Sequence, residues 1–309
     1  MTKIFIDGSA GTTGLRIRER LSTRRDLELL EISEQLRKDD AARCAFLNEA
    51  DVAFLCLPDA AAVEAAAMVT NPNTVIIDTS TAHRTSDDWV YGFPEVVGLR
   101  EKLRYAKRIA NPGCHASGFV SLVAPLVEHG LIRPELAISC FSLTGYSGGG
   151  KKMIADYEAN PDALQAPRMY GLSQSHKHLP EMQKICGLQT APIFSPIVSS
   201  FYSGMEVVVS LFGGDVKGSI GDIRHLYREY YTGKLVRFAQ TDENGFLSAS
   251  RLSGYDNMEI GVFGNEERIQ LVSRFDNLGK GASGAAIQNM NLVLGLEETT
   301  GLTILEETI

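Results

Sequence analysis

Lys3-Ile4-Phe5-Ile6-Asp7-Gly8-Ser9-Ala10-Gly11-Thr12-Thr13-Gly14 is the stretch on which the reading of the fold turns. Its first five residues form a short apolar run of strand type, and Leu15–Leu21 then places apolar side chains at helical spacing. Between them stand three glycines. Glycines at such a junction let the backbone turn sharply and come close to a pyrophosphate, whose charge meets the N–H groups of the helix start. The spacing is GxxGxxG rather than GxGxxG, so the motif alone is less specific. Its position between strand and helix favours a nucleotide over an empty glycine-rich turn. The residues assigned to the cofactor on this basis are Gly8, Ser9, Gly11, Thr12, Thr13 and Gly14.

Outward from this stretch the same alternation repeats. Leu27–Ile32, Asp51–Leu57, Thr74–Ile77 and Lys107–Ala110 read as strands, and the alanine-rich stretch from Asp59 to Val69 as a helix. Strands spaced this way with helices between them predict a doubly wound α/β domain with a parallel sheet. After Cys114 the texture changes. Gly118–Val127 reads as helix despite Pro125, and Leu136–Leu143, Ile193–Ile197, Met205–Leu211, Lys234–Phe238, Met258–Val262 and Arg268–Phe275 read as strands separated by Pro and Gly. An α+β domain with a mostly antiparallel sheet is expected. The apolar helix Ala282–Leu294 is expected to return to the first domain. The expected division is residues 1–113 with about 285–309 for the dinucleotide-binding domain, and 114–284 for the catalytic and oligomerisation domain.

Composition narrows the partners. The 309 residues are 44% apolar and 22% charged, with a net charge of −8, and show no basic block. That argues against nucleic acid and anionic membranes. No apolar run approaches the ~18 residues of a membrane span, and the chain enters a strand at once rather than a signal peptide. A cytoplasmic globular protein is expected. The five cysteines include no CxxC pair, so neither a zinc ribbon nor a dithiol redox site is indicated.

Three further readings concern chemistry. Cys114, in Asn111-Pro112-Gly113-Cys114, falls after a strand and at a helix start, where backbone N–H groups favour the thiolate and can hold an oxyanion. Cys56 and Cys140, inside apolar strands, read as buried structural thiols. His115 is discounted as the base for Cys114, because adjacent side chains at a helix start seldom face each other. In Ser175-His176-Lys177-His178-Leu179-Pro180-Glu181, Pro180 suits a first helical turn and leaves His176 in the preceding loop. Acid–base work is favoured there over a metal half-site, since no third and fourth ligands follow at a diagnostic spacing. For the cofactor's ribose, Glu31 would select NAD, whereas Ser33, Arg37 and Lys38 could hold the 2′-phosphate of NADP. The balance leans to NADP (NADPH), with no metal.

In order along the chain, GSAGTTG, DTSTAHR, YGFPE, NPGCHASG, GYSGGGKKM, SHKHLPE and DNLGKGASGAAIQNMNLVLG together resemble the N-acetyl-gamma-glutamyl-phosphate reductases, in their shorter sequence type. The resemblance covers essentially the whole chain. The longer type carries Ser-Ala-Asp-Phe-Arg where this chain has Ser80–Arg84. The resemblance implies a Rossmann-type NADP-binding domain, with Cys114 as nucleophile and His176 as base. It also implies reduction of N-acetyl-L-glutamyl 5-phosphate to the 5-semialdehyde in arginine biosynthesis, by a homo-oligomer, a tetramer by family habit. Arg84, Tyr146, Ser147, Gly148, Tyr170, His178 and Glu181 match substrate positions, and Asn277 one near the nicotinamide. The alternatives are aspartate-semialdehyde dehydrogenase, whose cysteine motif usually has Asn where Gly113 stands, and a non-catalytic NADP-binding sensor.

Overall fold

The computed structural model describes residues 1–306, which divide into two compact units, Met1–Pro112 with Ala282–Leu302, and Gly113–Gly281 with residues 303–306. The first unit begins with β1 (Thr2–Asp7), α1 (Thr12–Leu21), β2 (Leu27–Leu30), α2 (Asp40–Glu49), β3 (Val52–Leu55) and α3 (Asp59–Met68). It continues through β4 (Val75–Asp78), β5 (Val90–Tyr91), α4 (Leu99–Arg104) and β6 (Arg108–Ala110). The strands form one sheet in the order β2-β1-β3-β4-β6-β5, parallel throughout.

Strand period two explains why this sheet is covered on both faces. Ile4 and Ile6 of β1 enter a core with Ile17, Val52, Phe54, Ile77, Ile287 and Met290. Phe5, between them, enters the opposite core with Leu47, Ala53, Leu55, Ala65 and Ile76. A sheet buried on both sides needs near-continuous apolar strands, and β3 has all four residues buried. The strand order reverses beside β1, between its neighbours β2 and β3, which puts the Gly8 loop at the kind of crevice where such sheets bind ligands.

The second unit contains α5 (Cys114–Glu128), β7 (Ser139–Gly145), α6 (Gly150–Ala159), β8 (Arg168–Met169), α7 (Leu179–Cys186) and β9 (Ile193–Ser199). Then come β10 (Met205–Phe212), α8 (Ile220–Tyr230), β11 (Val236–Phe238), β12 (Met258–Gly264) and β13 (Arg268–Phe275). A π-helical turn, Gly279–Ser283, leads out to α9 (Gly284–Val293) in the first unit. The seven strands run in the order β11-β12-β13-β10-β7-β9-β8, antiparallel except for β11 with β12 and β7 with β9.

The helix carrying Cys114 lies against one face of this second sheet. A Cβ on Gly118 would stand 2.4 Å from Val207 Cγ2 and 2.8 Å from Ser273 Oγ, so the approach of α5 requires glycine there. The hydroxyls of Tyr227 and Tyr231 on α8 donate to the carbonyls of Leu122 and Ser121. The other face carries exposed Phe141, Met169 and Ile193 beside half-buried Leu143 and Ile197. The tail was expected in the first domain, yet Thr303 and Leu305 join the second unit. Thr303 exchanges hydrogen bonds with Asp256, and Leu305 with Asn257. Strands β5 and β8, two residues each, have no sequence signal of their own. Among the described residues no helix is long and apolar enough to cross a membrane.

Candidate active site

In the first unit the glycine loop is built as a cradle. Gly8 has φ +87°, and a Cβ there would lie 2.3 Å from the carbonyl oxygen of Cys56 at the end of β3. A Cβ on Gly14 would lie 2.5 Å from the Gly8 oxygen, whereas one on Gly11 meets nothing nearer than 3.4 Å. Gly8 and Gly14 are therefore required by the protein itself, and Gly11 is not. Helix α1 starts at Thr12 with no side chain capping it and no acid in its first turn. An anion suits such a start, because the first N–H groups of a helix lack intrahelical partners. Asp7, at the end of β1, is held by buried Arg43 at 2.8 Å, which fixes the strand that delivers the loop.

Beyond β2, Ser9, Arg18, Leu29, Glu31 and Ile32 line a cavity of about 90 Å³. The carboxylate of Glu31 is paired with Arg18 at 2.5 Å. Arg18 was absent from the sequence reading; its position one helical turn after the glycine loop is the signal that points to it. Ser33 accepts from the Leu36 amide through its carbonyl, and Arg37 pairs with Glu34 at 3.1 Å on the surface. These residues fit a dinucleotide: a glycine cradle, a helix start free of acids, and beside them a cavity lined by a base and an acid.

Arg84 is buried in the first unit and holds the backbone together. Its Nε donates to the Asn111 carbonyl at 2.9 Å and its Nη2 to the Thr79 carbonyl at 3.0 Å. The same loop contains a dyad that the sequence did not announce. His83 Nδ1 meets Asp78 Oδ2 at 2.6 Å while the His83 ring stacks on Trp89 at 3.9 Å.

In the second unit Cys114 is the first residue of α5, with Gly113 as its N-cap. The buried carboxylate of Glu181 accepts the Gly113 amide at 2.8 Å, fixing the residue before the thiol. Cys114 is partly exposed, whereas Cys140 and Cys186 are buried. Burial pushes the thiols of Cys140 and Cys186 upward and that of Cys56 to about 12, so all three are inert at neutral pH.

The rings of His176 and His178 gather at that of His115, the residue that follows Cys114 in the chain. The His176 and His178 rings are 4.8 Å apart, and both lie under 6 Å from the His115 ring. His178 caps α7, with Pro180 in its first turn, and its amide donates to His176 Nδ1 at 3.2 Å. That places the proton of neutral His176 on Nε2. Burial and then the neighbouring Lys177 charge lower the pKa of His176. His115 is buried at the centre, with Nδ1 on Ser142 Oγ and Nε2 on the Tyr170 hydroxyl, each at 2.7 Å. With both nitrogens engaged it is not a free base, yet it is far from idle. Burial and then the His176 charge bring its pKa down to about 3, so its ring is neutral.

The Tyr146–Gly149 turn before α6 is a 3₁₀ segment. Tyr146 stacks on Tyr157, Ser147 is buried, and Gly148, Lys151 and Lys152 are exposed. Asn277 ties this turn down within the second unit. Its Oδ1 accepts the Gly204 amide at 2.9 Å and its Nδ2 donates to Ser147 Oγ at 3.0 Å, leaving one amide hydrogen for any ligand. Among the described residues no group of three or more His, Cys, Asp or Glu is arranged to hold a metal ion.

The family model for the semialdehyde dehydrogenase NAD binding domain matches residues 8–106, and that for the semialdehyde dehydrogenase dimerisation domain matches residues 114–277. The chain belongs to the semialdehyde dehydrogenase family, whose members are oxidoreductases using a nicotinamide cofactor. Within that class it is similar to the N-acetyl-gamma-glutamyl-phosphate reductases of Brucella ovis and Brucella abortus strain S19. Each is 46% identical over 306 residues, 95% of this chain and 99% of theirs. The fold is shared with Vibrio cholerae aspartate semialdehyde dehydrogenase II complexed with ASA (TM-score 0.72, 17% identity, 96% of this chain and 98% of that one). It is also shared with the Candida albicans aspartate semialdehyde dehydrogenase with NADP (TM-score 0.69, 17% identity, 95% and 98%).

Proposed function

We propose that this chain reduces N-acetyl-L-glutamyl 5-phosphate to N-acetyl-L-glutamate 5-semialdehyde with NADPH, releasing phosphate, as a cytoplasmic step of arginine biosynthesis. The observation that carries the reading is a partly exposed cysteine at a helix start, within a chain that matches reductases of that name over nearly its full length.

The Cys114 thiolate attacks the acyl carbon; the carbon–sulfur bond forms, the carbon–oxygen bond to phosphorus breaks, and phosphate leaves with the electron pair. Amides at the start of α5 stabilise the oxyanion that develops. The residues of the Gly8–Gly14 cradle and the cavity beside Arg18 would hold the dinucleotide, whose chemistry when bound would be the supply of a hydride to the thioester carbon. His176 donates a hydrogen bond through Nε2–H to the oxygen that gains charge as the thiohemiacetal forms, and holds it until the carbon–sulfur bond breaks and the Cys114 thiolate leaves. Neutral Nε2–H is the form that the His178 amide favours. Glu181 holds Gly113 so that Cys114 stays at the helix start. Arg84 fixes the strand end before Cys114 rather than presenting a fully free guanidinium, while Tyr146, Ser147 and Gly148 form the turn that meets the substrate's anionic groups.

NADP is favoured over NAD because Glu31, which would accept from a ribose 2′-hydroxyl, is neutralised by Arg18. Self-association is assigned to the open face of the second sheet. Phe141 on β7 lies opposite Val208 on β10, and Met169 on β8 opposite Ile197 on β9, giving an apolar surface on one side. The deciding assay runs in reverse, with phosphate, NADP and either N-acetylglutamate semialdehyde or aspartate semialdehyde. A kcat/KM at least ~100-fold higher for the first is expected. A preference for the second would make the chain an aspartate-semialdehyde dehydrogenase, and no turnover of either would favour a sensor.

A further inference from the structure

Asp78 and His83, in the first unit, form a pair whose polarity is fixed by the donors around it. Asp78 ends β4 with no exposed surface. Its Oδ1 accepts the Ser80 amide at 2.9 Å and its Oδ2 the Ser80 hydroxyl at 2.8 Å. Oδ2 also meets His83 Nδ1 at 2.6 Å. A carboxylate only accepts, so the ring proton is on Nδ1 and the neutral ring keeps its lone pair on Nε2. Among the described residues Nε2 has no hydrogen-bond partner, and the His83 side chain keeps 13% of its surface exposed. Ser80 already satisfies both Asp78 oxygens, so the carboxylate does not need the imidazole. Any flat ring would serve to stack on Trp89. What the imidazole adds is an acceptor nitrogen held in a fixed orientation.

The segments that follow β1, β3 and β4 are tied together at the carboxyl edge of the parallel sheet. Asp7 pairs in register with Leu55 and Leu55 with Asp78, so the pair stands two strand spacings, about 10 Å, from the glycine loop. The Thr79 amide and hydroxyl donate to the Leu55 carbonyl, and those of Thr81 to the two carboxylate oxygens of Asp59. These bonds hold the loop that carries His83. The cavity lined by Arg18 and Glu31 lies on the other side of the glycine loop, against β2. With the adenosine ribose in that cavity and the pyrophosphate on the loop, the second half of a dinucleotide runs the opposite way, over the ends of β3 and β4. That half offers ribose hydroxyls, which donate to a lone pair; phosphate oxygens do not. We propose that His83 accepts a hydrogen bond through Nε2 from the ribose of the nicotinamide half, with Asp78 and Ser80 as its positioning residues. It rests on the placement of the dinucleotide at the glycine loop.

Calorimetric titration of the intact protein with three probes tests it. The probes are NADP, 2′-phospho-ADP-ribose, which lacks the nicotinamide, and 2′-phospho-ADP, which lacks the second ribose as well. His83→Phe keeps a ring for Trp89 and removes both nitrogens. His83→Asn keeps a donor for Asp78 and removes the outer nitrogen. In both variants the dissociation constants of NADP and 2′-phospho-ADP-ribose are expected to rise about 5- to 10-fold, the usual worth of one neutral hydrogen bond. That of 2′-phospho-ADP is expected to stay at the wild-type value. Equal constants for NADP in wild type and His83→Asn would make the pair purely structural and overturn the proposal. A loss shared by 2′-phospho-ADP overturns it too, by moving the contact to the pyrophosphate, and a loss confined to NADP moves it to the nicotinamide. Wild-type protein that binds none of the three overturns the dinucleotide placement as well. Where a variant loses its native circular dichroism, the emission of Trp89 in wild type decides, since it is the only tryptophan of the chain. 2′-Phospho-ADP-ribose is expected to change that emission and 2′-phospho-ADP to leave it as it was. The same response to both overturns the assignment to His83.

Discussion

The glycine loop and the histidine cluster are the two working regions of the chain, and they are built in opposite ways. The loop needs seven consecutive residues, and its function is carried by backbone: Gly8 and Gly14 are demanded by carbonyls 2.3 and 2.5 Å from where a Cβ would stand. The cluster is assembled from α5, β7, the segment before α7, and α7 itself, and its function is carried by side chains. Backbone recognition leaves a contiguous mark in a sequence, whereas a side-chain cluster leaves only separate polar residues until the fold joins them. Changes in the cluster should therefore alter chemistry while sparing cofactor binding, and changes in the loop should do the reverse.

The harshest break of that contrast is Cys114→Ser. Serine is a poor nucleophile at neutral pH, so phosphate-dependent oxidation of the semialdehyde should fall by about 10³-fold or more. NADPH binding, followed by fluorescence titration, should hardly change. Turnover near wild type in a preparation free of host enzyme would remove the nucleophile from Cys114. Next comes His176→Asn, for which a kcat loss of about 10²-fold or more is expected from the usual worth of a donor placed on a developing oxyanion. His178→Asn should chiefly raise KM, because that residue is buried at the cap of α7. The opposite pattern, with His178 controlling kcat, would exchange the two roles.

His115 gives the cluster a signature in stability as well. Its folded pKa of about 3 lies below the ordinary histidine value of 6.5, so the unfolded chain binds the extra proton between those limits. The stabilisation from keeping the ring neutral is complete above 6.5 and is lost as pH falls toward 3. Between pH 7 and pH 5 the loss should be about 2 kcal/mol, or ~30-fold in the folding equilibrium. Urea unfolding of wild type and His115→Gln at both pH values measures it. Equal pH dependence in the two proteins would mean that His115 is not the proton-sensitive group.

These regions also show how far the sequence could be read. The parallel sheet was legible because its strands are apolar runs between helices, and Cys114 because Gly113 and the helix signal flank it. His115 was legible as a residue but not as a participant. Adjacency along the helix discounted it as the base for Cys114, and nothing local revealed that Ser142 and Tyr170, far along the chain, engage both its nitrogens. Ser142 did leave a trace, a polar residue on the inward face of a strand. Asn277 was placed near the nicotinamide by resemblance, and only the fold shows its amide tying Gly204 to Ser147. The Asp78–His83 pair was hidden for a similar reason: its stacking partner, Trp89, lies beyond the motif.

On the loop side, Gly11→Val tests backbone recognition directly. A Cβ there makes only ordinary contact with the Gly8 and Cys56 carbonyl oxygens, at 3.4 and 3.8 Å, so the variant should fold, and its side chain should occupy the room a pyrophosphate needs. The dissociation constant for NADPH should rise about 10-fold, equivalent to ~1.4 kcal/mol, with the alkylation rate of Cys114 unchanged. Unchanged NADPH binding would deny the loop its ligand.

The smallest effect concerns which nicotinamide dinucleotide the loop prefers. Arg18 and Glu31 are both largely exposed, and exposed ion pairs contribute only about 0–1 kcal/mol. Arg18 can therefore leave Glu31 for a 2′-phosphate at little cost. When no phosphate is present, the pairing keeps the acid from offering a free carboxylate to a 2′-hydroxyl. Arg18→Ser removes the cation and unmasks the acid, so both changes act against NADPH and toward NADH. The ratio of kcat/KM for NADPH over NADH should fall about 3- to 10-fold, corresponding to roughly 0.6–1.4 kcal/mol. Glu31→Gln should lower activity with NADH and leave NADPH almost unaffected. Arg37 sits on the surface with Glu34, so Arg37→Ser should change the ratio less than Arg18→Ser. If the ratio falls with Arg37→Ser and holds with Arg18→Ser, recognition of the phosphate belongs to the Ser33–Lys38 segment, and the short-range pairing beside the glycine loop plays no part in it.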